Sequence, residues 1–354
     1  MRVGLVCPYD LGAFGGVQDL VTGLAGWLGE AGHEAWVVGP GAGGSHGLGM
    51  VGVGRTVVVP VNGSAAKIAL GRGVSGRVRQ ALASADIVHI HEPFVPVVSL
   101  AATTASGSAL VGTFHADPSP GMRRIYSVAA PVLRRVTRRL DVVTAVSPVA
   151  AAAAAPFGPV RLIPNAIDTS EFDPEPGLAH RVAFLGRDDP RKGLDVLLAA
   201  WPQVRLAVPD AELVVAAGDR RGELPGVRFV GSVGPADRRR LLAEAAVFCA
   251  PNLGGESFGI VLVQAMASRC AVVASALPAF AHVLGAAGAL VKPGDVAGLA
   301  ATLAAVLGDD GRRRALQDAA VASVARFDRT TVTTRYLAAY DEAISRSAAR
   351  RSAG

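Results

Sequence analysis

Short apolar runs, each followed by a break rich in glycine or proline, recur along the whole chain. Between them stand longer segments whose apolar residues fall at helical intervals. Residues 2–7 (RVGLVC) predict a strand, Gly15-Gly16-Val17-Gln18 a glycine turn, 20–28 a helix and 34–38 a second strand. A strand, a glycine-rich crossover, a helix and a strand open a doubly wound α/β sheet, whose ligands bind beyond the strand C-termini. The glycines do not spell G-x-G-x-x-G, which counts against a nicotinamide or flavin. Further strands are expected at 57–61, 87–90, 110–114, 142–146 and 160–163, with Arg72, Arg77 and Arg79 on the helix after the first of these. The polar, proline-bearing segment 168–177 predicts an interdomain crossing.

The pattern then restarts. Strands are expected at 181–185, 212–217, 227–230, 245–249, 271–274 and, at an edge, 289–291. Helices are expected at 194–204, 238–246, 258–269 and 299–307. A last helix, 330–345, is long enough to run back over the first half. The expected fold is α/β, with two Rossmann-like doubly wound domains facing a cleft. The first spans 1–164 with 330–354 packing back on it, and the second spans 165–329.

Composition narrows the function classes. A length of 354 residues exceeds what one core usually holds. With 51% hydrophobic and 18% charged residues, the chain has the makings of packed cores and not of a disordered protein. Cys7, Cys249 and Cys270 follow no metal or disulfide spacing and sit in apolar runs, so buried reduced thiols and a cytoplasmic setting are expected. The N-terminal apolar run is too short for a signal peptide, and no stretch of about 20 residues is unbroken enough to span a bilayer.

The formal charge of +6 points to anionic partners. Nucleic acid is not expected, because aromatics are only 5% and none interleave with a basic stretch to stack on bases. Anionic lipid or phosphorylated small molecules fit better. Arg123, Arg124, Arg134, Arg135, Arg138 and Arg139 alternate with Ile125, Val128, Val132, Leu133 and Val136. That pattern suits either a helix lying on an anionic bilayer or an ordinary solvated helix face.

Two stretches carry chemistry. In 250–264 (APNLGGESFGIVLVQ), a strand leads through Gly254-Gly255 to Glu256 and the expected start of a helix. The glycines permit positive φ and close approach of a ligand, and the free N–H groups of a helix start favour an anion. In Gly186-Arg187-Asp188-Asp189-Pro190-Arg191-Lys192-Gly193, Arg187 and Lys192 follow a strand and can neutralise a diphosphate without a metal. Arg191 and the two aspartates read as local ion pairs. No carboxylate pair is arranged for a divalent ion, so neither metal nor cofactor is expected.

GRDDPRKG together with APNLGGESFGIVLVQAMA resembles the retaining glycosyltransferases of family 4, which have the GT-B fold. CPYDLGAFGGVQ, PVNGSAAK, HIHEP, TFHAD and IPNAID resemble, within that family, the actinobacterial phosphatidylinositol mannosyltransferases. The resemblance implies a nucleotide-sugar donor, GDP-mannose, a phosphatidylinositol acceptor and peripheral association with the inner face of the cell membrane. It implies that Gly15 and Gly16 let the donor diphosphate approach, and that Arg187 and Lys192 hold it and stabilise the leaving group. Glu256 would take the sugar hydroxyls, while Ser257 and the N–H groups around Phe258, Gly259 and Ile260 would meet donor and phosphate. His115 would lie near the transferred sugar, with His89 and His91 serving the sheet edge. Tyr9, Gln18, Asn62, Ser64 and Lys67 would face inositol and its phosphate.

Two departures stand out. The family spacing of Glu, seven residues, Glu ends here in Gln264, and an amide offers one acceptor oxygen where a carboxylate takes both ribose hydroxyls. Gly234-Pro235 stands where the family often places an acid for guanine. Another nucleotide sugar with another acceptor, or a non-catalytic relative, are the alternatives these residues leave open.

Overall fold

The computed structural model describes residues 1–13, 15–46, 49–61, 64–105, 107–172, 174–175 and 177–352, with backbone alone for 42–46, 60–61 and 64–66. The chain divides into two compact units, Met1–Ala166 with Arg329–Gly354, and Ile167–Asp328.

The first unit opens β1 (Arg2–Val6), α1 (Gly16–Glu30), β2 (Glu34–Gly39) and continues β3 (Gly41–His46), β4 (Met50–Gly54), β5 (Thr56–Val61), β6 (Ser64–Ala69). It goes on with α2 (Val74–Leu82), β7 (Ile87–His91), α3 (Val98–Ala102), β8 (Ala109–Phe114), α4 (Pro120–Val128) and α5 (Ala130–Thr137). β9 (Val142–Ala145), α6 (Pro148–Ala154) and β10 (Arg161–Leu162) complete its first pass. The main sheet runs β10-β9-β8-β7-β1-β2-β4-β3, and β5 and β6 form a separate antiparallel ribbon. Every pairing in the main sheet is parallel except β3 with β4.

The second unit runs β11 (Leu178–Leu185), α7 (Leu194–Ala207), β12 (Glu212–Ala216), β13 (Val227–Phe229), α8 (Pro235–Ala243) and β14 (Ala245–Ala250). It closes with α9 (Ile260–Ala267), β15 (Ala271–Ser275), α10 (Pro278–Leu284), β16 (Gly288–Val291), α11 (Val296–Gly308) and α12 (Asp310–Val324). Its all-parallel sheet is ordered β13-β12-β11-β14-β15-β16. The chain then returns to the first unit as α13 (Arg329–Ser352).

Strands buried on both faces read as unbroken apolar runs, and β7, β8, β14 and β15 are buried along their whole length. In the second unit Trp201 of α7 and Leu303 and Leu307 of α11 cover the sheet. In the first, Leu20, Leu24 and Leu28 of α1 lie in one core cluster with Tyr336 and Tyr340 of α13, all 4% exposed or less. The last helix therefore supplies core side chains to the sheet of the first unit.

Several elements differ from expectation. Strands β3 and β6 emerge from glycine- and alanine-rich sequence, and β4 from a short valine–glycine run, where the neighbouring strand supplies their hydrogen bonds. Arg72 precedes α2 instead of lying on it. Helix α8 starts earlier than expected, with Pro235 at its first position, and ends at Ala243 so that β14 can begin at Ala245. Helices α10 and α12 were not anticipated, the first being only seven residues long. Helix α9 begins at Ile260, so Glu256 lies four residues before it and not at its mouth.

Candidate active site

In an open parallel sheet a ligand binds where strand order reverses. In the second unit that point falls between β11 and β14. The loops leaving those two strands are the two stretches singled out by sequence. They are stitched together by the Leu253 amide donating to the Arg191 carbonyl at 2.8 Å.

At that seam the Lys192 Nζ donates to Glu256 Oε1 at 2.5 Å, and the Asn252 amide donates to the same oxygen at 2.8 Å. Asn252 is buried, whereas the Lys192 and Glu256 side chains are 26% and 16% exposed. The carboxylate is thus held from two sides with part of its surface still open. Arg191 pairs with Asp189 (Nη2 to Oδ2 2.6 Å), and that bond holds the Asp189 carboxyl down to about 2. Asp189 also accepts from the Arg191 amide, so these two residues build the loop, as the ion-pair reading holds. Arg187 also acts on Asp189 and is engaged within the chain.

Glycine is required at two positions here. Gly193 has φ +70°, and a Cβ there would run into the Pro251 carbonyl oxygen. Gly259 has φ +98°, caps α9 without a side chain, and would bring a Cβ to 2.8 Å from Phe280. Gly255 is also left-handed, at φ +72°. The Phe258 ring is buried edge-on against Phe327, centroids 5.7 Å apart, so only its backbone can serve a ligand. Ser257 is half-buried and bonded within the chain. Gln264 lies one turn beyond Ile260, and its Oε1 is buried with no hydrogen-bond partner.

In the first unit strand order reverses between β1 and β7. Tyr9 follows β1, and Gly15 and Gly16 open α1 with no side-chain cap, leaving its first N–H groups without helical partners. A Cβ on Gly16 would meet nothing within 4 Å among the described residues, so none of them demands glycine there. The Gln18 amide donates to the Asp10 carbonyl at 3.4 Å, and the Asp10 amide donates to the Lys67 carbonyl at 2.9 Å. Tyr9, Gln18 and the exposed Lys67 are thereby gathered around one turn. Asn62 and the Ser64 side chain lie outside the described residues.

His115 follows β8 and is buried, with its Nε2 2.8 Å from the Nδ1 of His91. Burial pushes its imidazole down to about 4, so the ring is neutral near pH 7. His89 and His91 belong to an interior strand and do not serve a sheet edge. His89 bridges Tyr340 Oη at 2.9 Å and Thr113 Oγ1 at 2.6 Å, tying α13 to the sheet. All three cysteines are buried thiols, Cys7 pushed up to about 12 by desolvation.

Sequence reasoning missed Asn252 and Glu92. Glu92 is buried, and its Oε1 accepts from the amides of His115 and Ala116, each at 2.7 Å. Burial pushes its carboxyl up to about 7, against the lowering effect of those two amides. Asn252 stood out only as a polar residue in an otherwise apolar and glycine run.

Two doubly wound, mainly parallel sheets, each with polar loops at its switch point, make up the GT-B fold. Residues 14–171 match the family described as Glycosyltransferase Family 4, and residues 179–309 match Glycosyl transferases group 1. The chain belongs to the family 4 glycosyltransferases and is a hexosyltransferase. It is 39% identical over 365 residues to the phosphatidyl-myo-inositol mannosyltransferase of Mycolicibacterium smegmatis, covering 96% of this chain and 94% of that one. It is also 39% identical to the protein of that name from Propionibacterium freudenreichii, covering 80% of this chain and 79% of that one. Anabaena HepE in complex with UDP-glucose superposes with a TM-score of 0.74 at 19% identity, covering 96% and 99% of the two chains. Sucrose-phosphate synthase from Thermosynechococcus elongatus does so with 0.71 at 20% identity, covering 97% and 99%.

Proposed function

We propose that this enzyme transfers mannose from GDP-mannose to the inositol of phosphatidylinositol, with retention, at the cytoplasmic membrane face. The observation that carries the reading is the 39% identity to a phosphatidyl-myo-inositol mannosyltransferase along 96% of the chain.

In this reading Arg187 and Lys192 bind the donor diphosphate and stabilise charge on the leaving phosphate. Glu256, oriented by Asn252, accepts from sugar hydroxyls. The backbone of Ser257, Phe258, Gly259 and Ile260 meets phosphate, Gln264 meets ribose, and Gly15 and Gly16 leave room for the diphosphate. Tyr9, Gln18, Asn62, Ser64 and Lys67 take inositol and its phosphate, and His115 borders the transferred sugar. The acceptor hydroxyl attacks the anomeric carbon on the face the diphosphate leaves. The carbon–oxygen bond to phosphate breaks, and the departing phosphate oxygen takes the acceptor proton. His115, neutral and bonded to His91, is no base in this scheme.

Membrane attachment is supported by α4 and α5. No residue of α4 is buried, and Ile125, Val128 and Val132 are 58%, 80% and 60% exposed. Arg124, Arg134, Arg135, Arg138 and Arg139 are exposed around them. Apolar side chains ringed by arginine suit an anionic bilayer. No helix among the described residues is long and apolar enough to cross a membrane. Transfer of radiolabelled mannose to phosphatidylinositol vesicles tests the proposal, and a protein that transfers only from a uridine nucleotide, or only to soluble acceptors, refutes it. That second reading is favoured by the orphaned amide of Gln264 in place of a ribose-binding acid.

A further inference from the structure

The loop that carries His115 is held by groups that the transfer chemistry does not use. Glu92 donates its own amide to the Thr113 carbonyl at 2.8 Å and turns its carboxylate back to accept from the His115 and Ala116 amides. To do so it takes φ +49°, a left-handed conformation that costs a non-glycine residue energy. One residue thus ties the ends of β7 and β8 together at three points.

The His91–His115 contact has a direction. His91 Nε2 is buried with no partner, and so is the Asn165 Oδ1. A buried N–H without an acceptor is the rarer and costlier orphan. The His91 proton therefore belongs on Nδ1, where it is donated to His115 Nε2 across 2.8 Å. That leaves the His115 proton on Nδ1. The one orphan on His91 thus sets the tautomer of both rings.

We propose that His91 and Glu92 are positioning residues that clasp His115: Glu92 fixes its backbone, and His91 fixes its ring as the Nδ1–H tautomer. The function is to hold the rim of the sugar site at the end of β8 in one geometry during transfer, and this role rests on the reading that His115 borders the transferred sugar. The His91 ring is fully buried and packs at a tilt against His89, centroids 4.2 Å apart, which restrains it.

The test uses the full chain labelled with nitrogen-15 in histidine. Long-range proton–nitrogen spectra are expected to show His115 protonated on Nδ1 and bare on Nε2. His91→Phe keeps the stacking and removes the donor. It should give His115 a mixed tautomer signal and lower kcat about ten-fold, with donor KM changed less than about two-fold. His91→Asn, whose amide nitrogen stands where Nδ1 stood, should restore both. Likewise Glu92→Gln, which keeps an acceptor, should retain activity that Glu92→Ala loses. A wild-type His115 protonated on Nε2 overturns the assignment, as does a folded His91→Asn no better than His91→Phe. If the wild type transfers no mannose, the functional reading falls while the tautomer still decides this one.

Discussion

Lys192 and Glu256 are both expected to touch the donor, yet in the structure they neutralise one another across 2.5 Å. A diphosphate that uses the Lys192 charge has to share it with the carboxylate. Glu256→Gln removes that competition while keeping the size of the side chain and an oxygen for the Asn252 amide. Side-chain exposures of 26% and 16% place the pair between a surface bridge and a buried one, so losing one partner costs about 1–2 kcal/mol of stability. The freed Lys192 charge should strengthen binding of a sugarless diphosphate by about 1 kcal/mol, or roughly five-fold. Transfer should fall by about 10²-fold or more, because the sugar loses an anionic acceptor. Isothermal calorimetry with GDP and UDP gives the affinity, thermal unfolding the stability and vesicle assays the transfer. Tighter diphosphate binding with lost transfer is the expected pair of results. Weaker binding of diphosphate, or undiminished transfer, would refute the idea that this ion pair gates the donor site.

Gly193→Ala sets a Cβ against the Pro251 carbonyl at φ +70°, and should lower stability by about 2–4 kcal/mol and weaken diphosphate binding, read by denaturant unfolding and calorimetry. Gln264→Glu should lower the stability of the protein alone, since it places a charge where an amide oxygen already lacks a partner, and tighten nucleotide binding about five-fold through the ribose. Equal nucleotide affinity in the two proteins would remove Gln264 from the ribose site. Burial lowers His89 to about 3 and His115 to about 4, so below about pH 6.5 the unfolded chain binds protons that the folded chain refuses. Stability present above that pH is therefore lost as pH falls toward 4, by roughly 1.4 kcal/mol per pH unit for each proton. Glu92, raised to about 7, opposes this, because the folded chain takes its proton first. Burial also lowers His91, and three buried histidines outweigh the one carboxyl, so urea midpoints should fall between pH 6.5 and 4.5, and His89→Phe should flatten the slope; an unchanged slope would refute the assignment.

Much of this molecule is legible in one dimension. Parallel strands buried on both faces tend to read as near-continuous apolar runs, so β8, β14 and β15 announce themselves. Positive φ favours glycine, so Gly193, Gly255 and Gly259 mark the loops where a ligand can approach. The strand and the helix on either side of Glu256 follow from those same signals. Strands β3 and β6 do not, because a ribbon of glycine and alanine is a strand only when a neighbour offers it hydrogen bonds.

What tertiary structure alone decides is which polar groups meet. The sheet orders put the loops after β11 and β14 side by side, and only then do Lys192, Asn252 and Glu256, up to 64 residues apart, form one charge cluster. The same holds for Glu92, a residue in a short motif until the β7–β8 pairing brings the His115 and Ala116 amides to its carboxylate. It holds for the histidines as well. Sequence shows His89 within a strand and His91 and His115 at strand ends, but burial and direction make the first a tie to α13 and the other two a bonded pair. Local sequence sets backbone conformation through sterics and periodicity, whereas charge pairing and proton placement depend on distances that only the packed sheet fixes.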